Sequence, residues 1–328
     1  KPDSAWKGFF FPWFYDRELF KYEYELAEEW WRSQPINKGQ RFSYDVDCDE
    51  YERKLYDEEK VQLRQLCWRR WKFSQGMTKE QFFQEYPSFS YESFVTSGQN
   101  VFKQSMILDR MNYLPIPLLE EELTELPDIL QRYINKGLKI FALPRKGIRY
   151  YAGVDSASGN KGDFSTMVII DQDARQVATF ARDDIPIYIY AEIVDALGRF
   201  FNTAYLVVET NNVGTPLLER IKEEYLYPNL YRQRTFNKGR RRRTYGFATT
   251  SVTKSILIED FKELFQTSLL EINDKELLEE MQIYQVNSDG SMSNKRGDDN
   301  HDDLIIATAL AIQGLKTNKY LVNYKTLF

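Results

Sequence analysis

A mixed α/β domain preceded by a mainly helical segment is the fold class that this sequence predicts. Helical periodicity dominates up to about residue 140, short apolar runs separated by turn residues follow Pro144, and strands then alternate with helices.

Taken in order, Trp6 to Phe14 reads as a strand and Glu18 to Arg32 as an amphipathic helix. Helical periodicity returns from Asp57 to Phe73, around Thr78 to Glu85, and from Leu118 to Lys136. Trp30, Trp31, Trp68 and Trp71 fall at helical positions and are read as packing residues rather than as a platform for stacked bases. The change of pattern sets an expected boundary between a region 1–140 and a domain 141–328. In the latter, Tyr150 to Asp155, Ser165 to Asp171 and Gln176 to Arg182 read as an antiparallel meander of three strands. Pro186 opens a helix to about Phe201, Tyr205 to Glu209 is a fourth strand, and Pro216 opens a helix to about Tyr225. A fifth strand is expected near Leu230 to Thr235, then helices near Thr253 to Gln266, Asp274 to Gln282 and Asp302 to Leu315. Three antiparallel strands followed by alternating helix and strand is the order of the ribonuclease H fold.

Composition narrows the function. With 328 residues, 42% of them apolar, the chain is long enough for one large domain or two ordinary ones. A net charge of −5 argues against coating nucleic acid by bulk charge, so DNA contact falls to a local patch, the run from Lys238 to Arg243. Cys48 and Cys67 form neither a disulfide framework nor a CxxC zinc rhythm, which points to a reducing, cytosolic setting. No apolar run approaches the roughly 20 residues of a bilayer crossing, and no charged-then-apolar leader opens the chain, so no membrane is expected. The first residue is Lys1 rather than Met, which reads as a piece of something longer or as processing.

The chemistry lies in carboxylates at the ends of elements. Asp155 terminates Tyr-Tyr-Ala-Gly-Val and Glu209 terminates Tyr-Leu-Val-Val, so two apolar strands each deliver an acid at the C-terminal edge. If the first and fourth strands are neighbours, these acids lie side by side. Asp302 and Asp303 open an apolar helix that must be buried on most of its surface. Clustered carboxylates repel and raise one another's pKa unless a divalent cation neutralises them. Hard oxygen ligands suit Mg²⁺ or Mn²⁺ rather than zinc, and two such ions about 4 Å apart can hydrolyse a phosphodiester. Asp155 is the expected bridge between them, and Asp163 could curl back toward the same site. His301, the sole histidine, precedes the acid pair and could position water or phosphate. Singly, each acid has a plainer role as a strand stop or helix cap.

These motifs resemble the C-terminal nuclease domain of the large subunit of tailed-bacteriophage DNA-packaging terminases. The likeness is carried by Gly153-Val154-Asp155-Ser156-Ala157 with Gly162-Asp163-Phe164-Ser165, by Val208-Glu209-Thr210-Asn211, and by His301-Asp302-Asp303-Leu304. Upstream, Trp68-Arg69-Arg70-Trp71-Lys72, Gln84-Glu85-Tyr86-Pro87, Phe94 and Ser97-Gly98 resemble the segment joining motor and nuclease. The resemblance implies that Asp155, Glu209 and Asp303 hold the metals, with Asp302 the competing choice for the third position. It also implies cleavage of concatemeric double-stranded DNA in the cytoplasm of an infected host. The implied partners are a small terminase subunit, the procapsid portal and further copies of the chain. No GxxxxGK[ST] phosphate loop occurs, so ATP hydrolysis is not expected, and residues 1–140 read as a linker and lid region after a motor core.

Lys238 and Arg240, Arg241, Arg242 and Arg243 suit phosphate contact that is independent of sequence. The competing readings are another ribonuclease H-like enzyme, such as a transposase or junction resolvase, and a noncatalytic portal-docking module whose acids are structural.

Overall fold

The computed structural model describes residues 9–90, 92, 100–157, 164–211, 214–237, 240–287, 291–294 and 301–319, with all their side chains except those at 80, 235–237, 240–242, 318 and 319. The chain divides into two compact units, 1–98 and 99–328.

Aromatic residues at helical spacing organise the first unit, whose helices are α1 (Lys21–Ser33), α2 (Tyr44–Asp47), α3 (Glu50–Asp57), α4 (Leu63–Ser74) and α5 (Lys79–Glu85). Trp68 is fully buried, stacked on Phe20 with ring centroids 4.8 Å apart and tilted against Trp13 at 5.2 Å. It packs in the core, as its periodicity predicts. The helix expected from Asp57 to Phe73 is interrupted, because Lys60 takes a left-handed φ of 58° between α3 and α4. Thr78 caps α5 by accepting from the Gln81 N–H. No strand forms at residues 9–14: Pro12 has no N–H to offer a ladder, and the Tyr15 N–H closes a turn on its carbonyl at 2.9 Å. That turn carries Trp13 into the core, while Trp6 to Gly8 lie outside the described residues. Buried Glu52 joins Arg69 at 2.9 Å and Arg70 at 2.6 Å. Cys48 and Cys67 are free, and burial pushes both thiols to about 12, so neither supplies a thiolate at neutral pH.

The second unit contains α6 (Gln104–Met111), α7 (Asp128–Gln131), β1 (Leu138–Ile140), β2 (Tyr150–Asp155), β3 (Ser165–Asp171), β4 (Gln176–Arg182), α8 (Ile187–Phe200), β5 (Tyr205–Val208) and α9 (Gly214–Glu223). It continues through β6 (Arg232–Asn237), β7 (Arg240–Tyr245), α10 (Ser251–Gln266), α11 (Lys275–Ile283), β8 (Tyr284–Val286), β9 (Met292–Asn294) and α12 (Asp303–Lys319). Five strands form one sheet in the order β1-β4-β3-β2-β5; β5 runs parallel to β2 and the other pairs are antiparallel. This is the ribonuclease H-like arrangement that the strand order predicts, with β1 added at one edge.

Three expectations shift. The compact boundary falls near residue 98 instead of 140, since β1 pairs with β4 and the Leu118 N–H bonds to Ile140 O at 2.7 Å. The periodicity from Leu118 to Lys136 yields only a 3-10 turn (Glu120–Glu122) and α7, because Pro127 interrupts the segment and Asn135 turns it with a φ of 56°. The fifth strand does not extend the sheet as such. Tyr231 and Phe247 bond to β5 at Leu206 O and Val208 O, at 2.8 Å each, and between them the chain leaves as the separate β6–β7 ribbon. The β8–β9 hairpin was not anticipated.

Strand alternation sorts the two faces. Tyr150, Ala152 and Val154 join a core with Tyr190, Ile193 and Leu197 of α8, so Tyr151, Gly153 and Asp155 face the other side, where α12 lies. A Cβ at Gly153 would stand 1.8 Å from Ala307 O and 2.6 Å from Ala311 N. Only glycine lets the helix backbone rest directly on β2. Gly153→Ala is therefore expected to cost about 2–3 kcal/mol in urea unfolding, as overpacking does; an unchanged midpoint would show that α12 can move away freely.

Candidate active site

The alternation that sends Asp155 toward α12 acts on β5 as well, because Leu206 and Val208 belong to the opposite core. Val154 pairs with Val208 across the parallel strands, and the Glu209 N–H donates to Val154 O at 2.9 Å. Asp155 and Glu209 thus leave adjacent strand ends side by side, and their carboxyls are hydrogen-bonded to each other. The third acid arrives on the first turn of α12. Asp303 Oδ2 accepts the Phe164 N–H at 3.0 Å, and its carbonyl accepts Thr166 Oγ1 at 3.0 Å.

Asp155 retains some exposure as a residue, yet its carboxyl is desolvated. Burial first, then the Glu209 charge and hydrogen bond, then Asp303 hold that carboxyl well above the usual aspartate range, against a bond from the Ser156 N–H that lowers it. Neighbouring groups tether the acids. The Tyr190 hydroxyl, fully buried, lies 2.6 Å from Thr166 O and 3.1 Å from Asp155 O, joining the ends of β2 and β3. Asn211 Nδ2 donates to Glu209 Oε1 at 3.1 Å and to Thr249 O at 2.7 Å. Gly214 permits close approach here: a Cβ there would stand 1.8 Å from Glu209 O. On α11, burial and then Asp303 push Glu280 well above the usual glutamate range.

The acid pair at the start of α12 divides its work. Asp303 faces Asp155, whereas Asp302 Oδ2 bonds to Lys254 Nζ of α10 at 2.9 Å. His301 packs edge-on against Phe164 at 5.1 Å, with Nδ1 3.9 Å from Asp303 Oδ2. Asp163 and Lys238 lie outside the described residues. Arg240, Arg241 and Arg242 belong by backbone to β7, and Arg243 is exposed on it. The ribbon returns to the sheet at Phe247, which bridges to Glu209. Tyr190, Asn211, Lys254 and Glu280 were not singled out from sequence. Asn211 alone left a signal, two positions beyond Glu209 in the same motif.

Among the described residues, no three His, Cys, Asp or Glu side chains form a ready-made metal cluster. The donor set still fits a hard divalent cation: the Asp155 and Glu209 carboxyls touch, Asp303 lies within electrostatic reach, and each donor is oxygen. Their mutual repulsion is what such a cation relieves.

A sheet in this order, with acids ending its one parallel pair of strands, β2 and the edge strand β5, and a third opening the helix laid across them, defines a ribonuclease H-like domain. A family model described as the terminase RNaseH-like domain matches residues 152–315, half of the chain, and the chain belongs to that family. Among solved structures, the magnesium-bound large terminase nuclease of thermophilic phage G20c is similar at 17% identity, over 66% of this chain and 98% of that one, with a TM-score of 0.49. The cobalt-bound form is similar at 18% identity over the same shares, with a TM-score of 0.47. The large terminase nuclease domain of Thermus phage P74-26 is similar at 16% identity, over 63% of this chain and 93% of that one, with a TM-score of 0.44. Comparison with curated proteins found no match.

The raised Asp155 pKa makes metal-free stability depend on pH. A carboxyl that holds its proton more tightly when folded contributes fully below the ordinary aspartate pKa of about 4, and that contribution is lost as pH climbs through the raised folded value. Asp155→Asn removes the ionisation, so its metal-free Tm, followed by circular dichroism from acid to neutral pH, should fall less steeply than that of the wild type. Equal slopes would overturn this account of the cluster.

Proposed function

We propose that the chain is a divalent-metal-dependent endonuclease that cuts double-stranded DNA by phosphodiester hydrolysis. The observation that carries this reading is the convergence of Asp155, Glu209 and Asp303 from two strand ends and one helix start. Membership of the terminase RNaseH-like family supports it.

Asp155, Glu209 and Asp303 would hold Mg²⁺ or Mn²⁺, two ions in our reading, which supply Lewis-acid stabilisation of the negative charge that develops on the scissile phosphate. Asp155, which feels both Glu209 and Asp303, would be the central member of this donor set. Asn211 aims Glu209, Tyr190 fixes the backbone that carries Asp155, and the Phe164 N–H orients Asp303. His301 stands where it can orient a phosphate oxygen or a water beside Asp303. Lys254 restrains Asp302, which supports Asp303 as the member of the pair that would hold metal. The β6–β7 ribbon carries the arginine run away from the sheet edge next to Glu209 and would contact backbone phosphates without reading sequence.

By family, the substrate is concatemeric viral DNA cut at the start and end of head filling in the infected host's cytoplasm. The partners are a small terminase subunit, the procapsid portal and further copies of the chain. In this reading residues 1–140 would be the linker and lid region, of which 99–140 pack with the nuclease sheet. No helix among the described residues is long and apolar enough to cross a membrane.

Plasmid cleavage by the purified chain should require Mg²⁺ or Mn²⁺ and stop with EDTA. Asp155→Ala, Glu209→Ala and Asp303→Ala should each lower it by about a hundredfold or more, the scale of losing one charge-stabilising group, while Asp302→Ala keeps most of it. A folded wild type that neither cuts nor binds Mn²⁺ would support the docking-module reading; preference for four-way junctions over linear duplex would favour a resolvase. Replacing Arg240 to Arg243 with alanine should weaken DNA binding and flatten its salt dependence, and unchanged binding would remove the ribbon from the DNA path.

A further inference from the structure

The first turn of a helix exposes N–H groups that its own backbone cannot satisfy. In α12 the opening bond runs from the Ile306 N–H to Asp302 O at 3.0 Å, so Asp302 stands at the cap and Asp303, Leu304 and Ile305 present those groups. A capping aspartate ordinarily takes the second or third of them with its own carboxylate. The carboxylate of Asp302 instead turns to Lys254, with Oδ2 2.9 Å from Nζ. A residue 25 positions upstream takes over: Glu280 Oε2, on the neighbouring α11, accepts the Ile305 N–H at 3.2 Å. Asp303 leads the same turn, so whatever fixes Ile305 also fixes the direction from which Asp303 enters the site.

We infer that Glu280 is a positioning residue for Asp303: it caps α12 from the adjacent helix and sets the register of the first turn against the ends of β2 and β3. This rests on the nuclease reading and adds a residue to it. Tethers from several described residues then bear on Asp303. Its carboxylate accepts from Phe164, its carbonyl accepts from Thr166, and its turn is held by Glu280. Glu280 also lines a cavity of about 260 Å³ with Phe164, Thr166, His301 and Leu304, so it borders the same corner of the site. A group behind a metal ligand matters because the ligand must stay in one orientation when the cation binds, and loss of such support weakens binding. The positive end of the α12 dipole favours an acid in this place, and a neutral acceptor keeps the hydrogen bond.

The test compares Glu280→Gln, which preserves an acceptor, with Glu280→Ala, which removes it. Mn²⁺ binding is read by electron paramagnetic resonance, alongside plasmid cleavage against Mn²⁺ concentration and metal-free thermal unfolding. Glu280→Gln should bind Mn²⁺ as the wild type does, whereas Glu280→Ala should bind about tenfold more weakly and need correspondingly more Mn²⁺ to cut. If Glu280→Ala fails to fold, Glu280→Leu fills similar space without an acceptor and makes the same comparison. Wild-type Mn²⁺ affinity in the variant lacking an acceptor would overturn the inference, and so would equal weakening in both, which would assign the effect to charge and not to the cap. In either case a wild type that binds and cuts leaves the nuclease reading standing. A wild type that does neither removes that reading and this inference with it.

Discussion

The contact between α12 and β2 at Gly153 is the constraint on which the acidic cluster depends. The absence of a Cβ lets the backbone of Ala307 and Ala311 reach the strand, and these two small buried residues keep the helix close there. A helix held further away would carry Asp303 away from Asp155. Asp155 and Asp303 are about 150 residues apart in the chain, so no local preference brings them together, and close packing of backbone on backbone does.

Once assembled, the cluster works against its own stability. Asp155 and Glu209 touch, Asp303 stands near, and Glu280 lies behind it, so burial and like charge both oppose ionisation. The tethers around them resist the relaxation that such repulsion favours: Asn211 on Glu209, Phe164 and Thr166 on Asp303, Tyr190 between two strand ends. Strain of this kind is common where a site is organised for a ligand of opposite charge.

The parts legible in advance are those that short-range pattern controls. The bounds of β2, β3 and β4 match the reading from alternation and turn residues, and Asp155 and Glu209 stood out because each ends an apolar run at a strand edge. Where proline and left-handed residues broke a periodic stretch, as at Pro127 and Lys60, the periodicity misled. The boundary near 140 also failed as the edge of a compact unit, because residues 99–140 owe their place to pairing and bonds with distant partners such as β4. Lys254 and Glu280 look in sequence like charges on the solvated faces of helices, and nothing local distinguishes them from their neighbours.

Hydrophobic periodicity and the ends of apolar runs were thus enough for the sequence to determine a meander followed by alternating helices and strands, with candidate acids at three places. Tertiary structure alone decided which of Asp302 and Asp303 faces the other acids, since the choice turns on Lys254 of α10 drawing one of them aside. It also decided that the arginine run forms a strand of a ribbon and not a free loop, and that a glutamate on α11 caps α12. Local pattern fixes which face of an element is buried, because that depends on neighbours three or four residues away. The partner of a particular charge depends on which elements meet, and that is set only when the whole core packs.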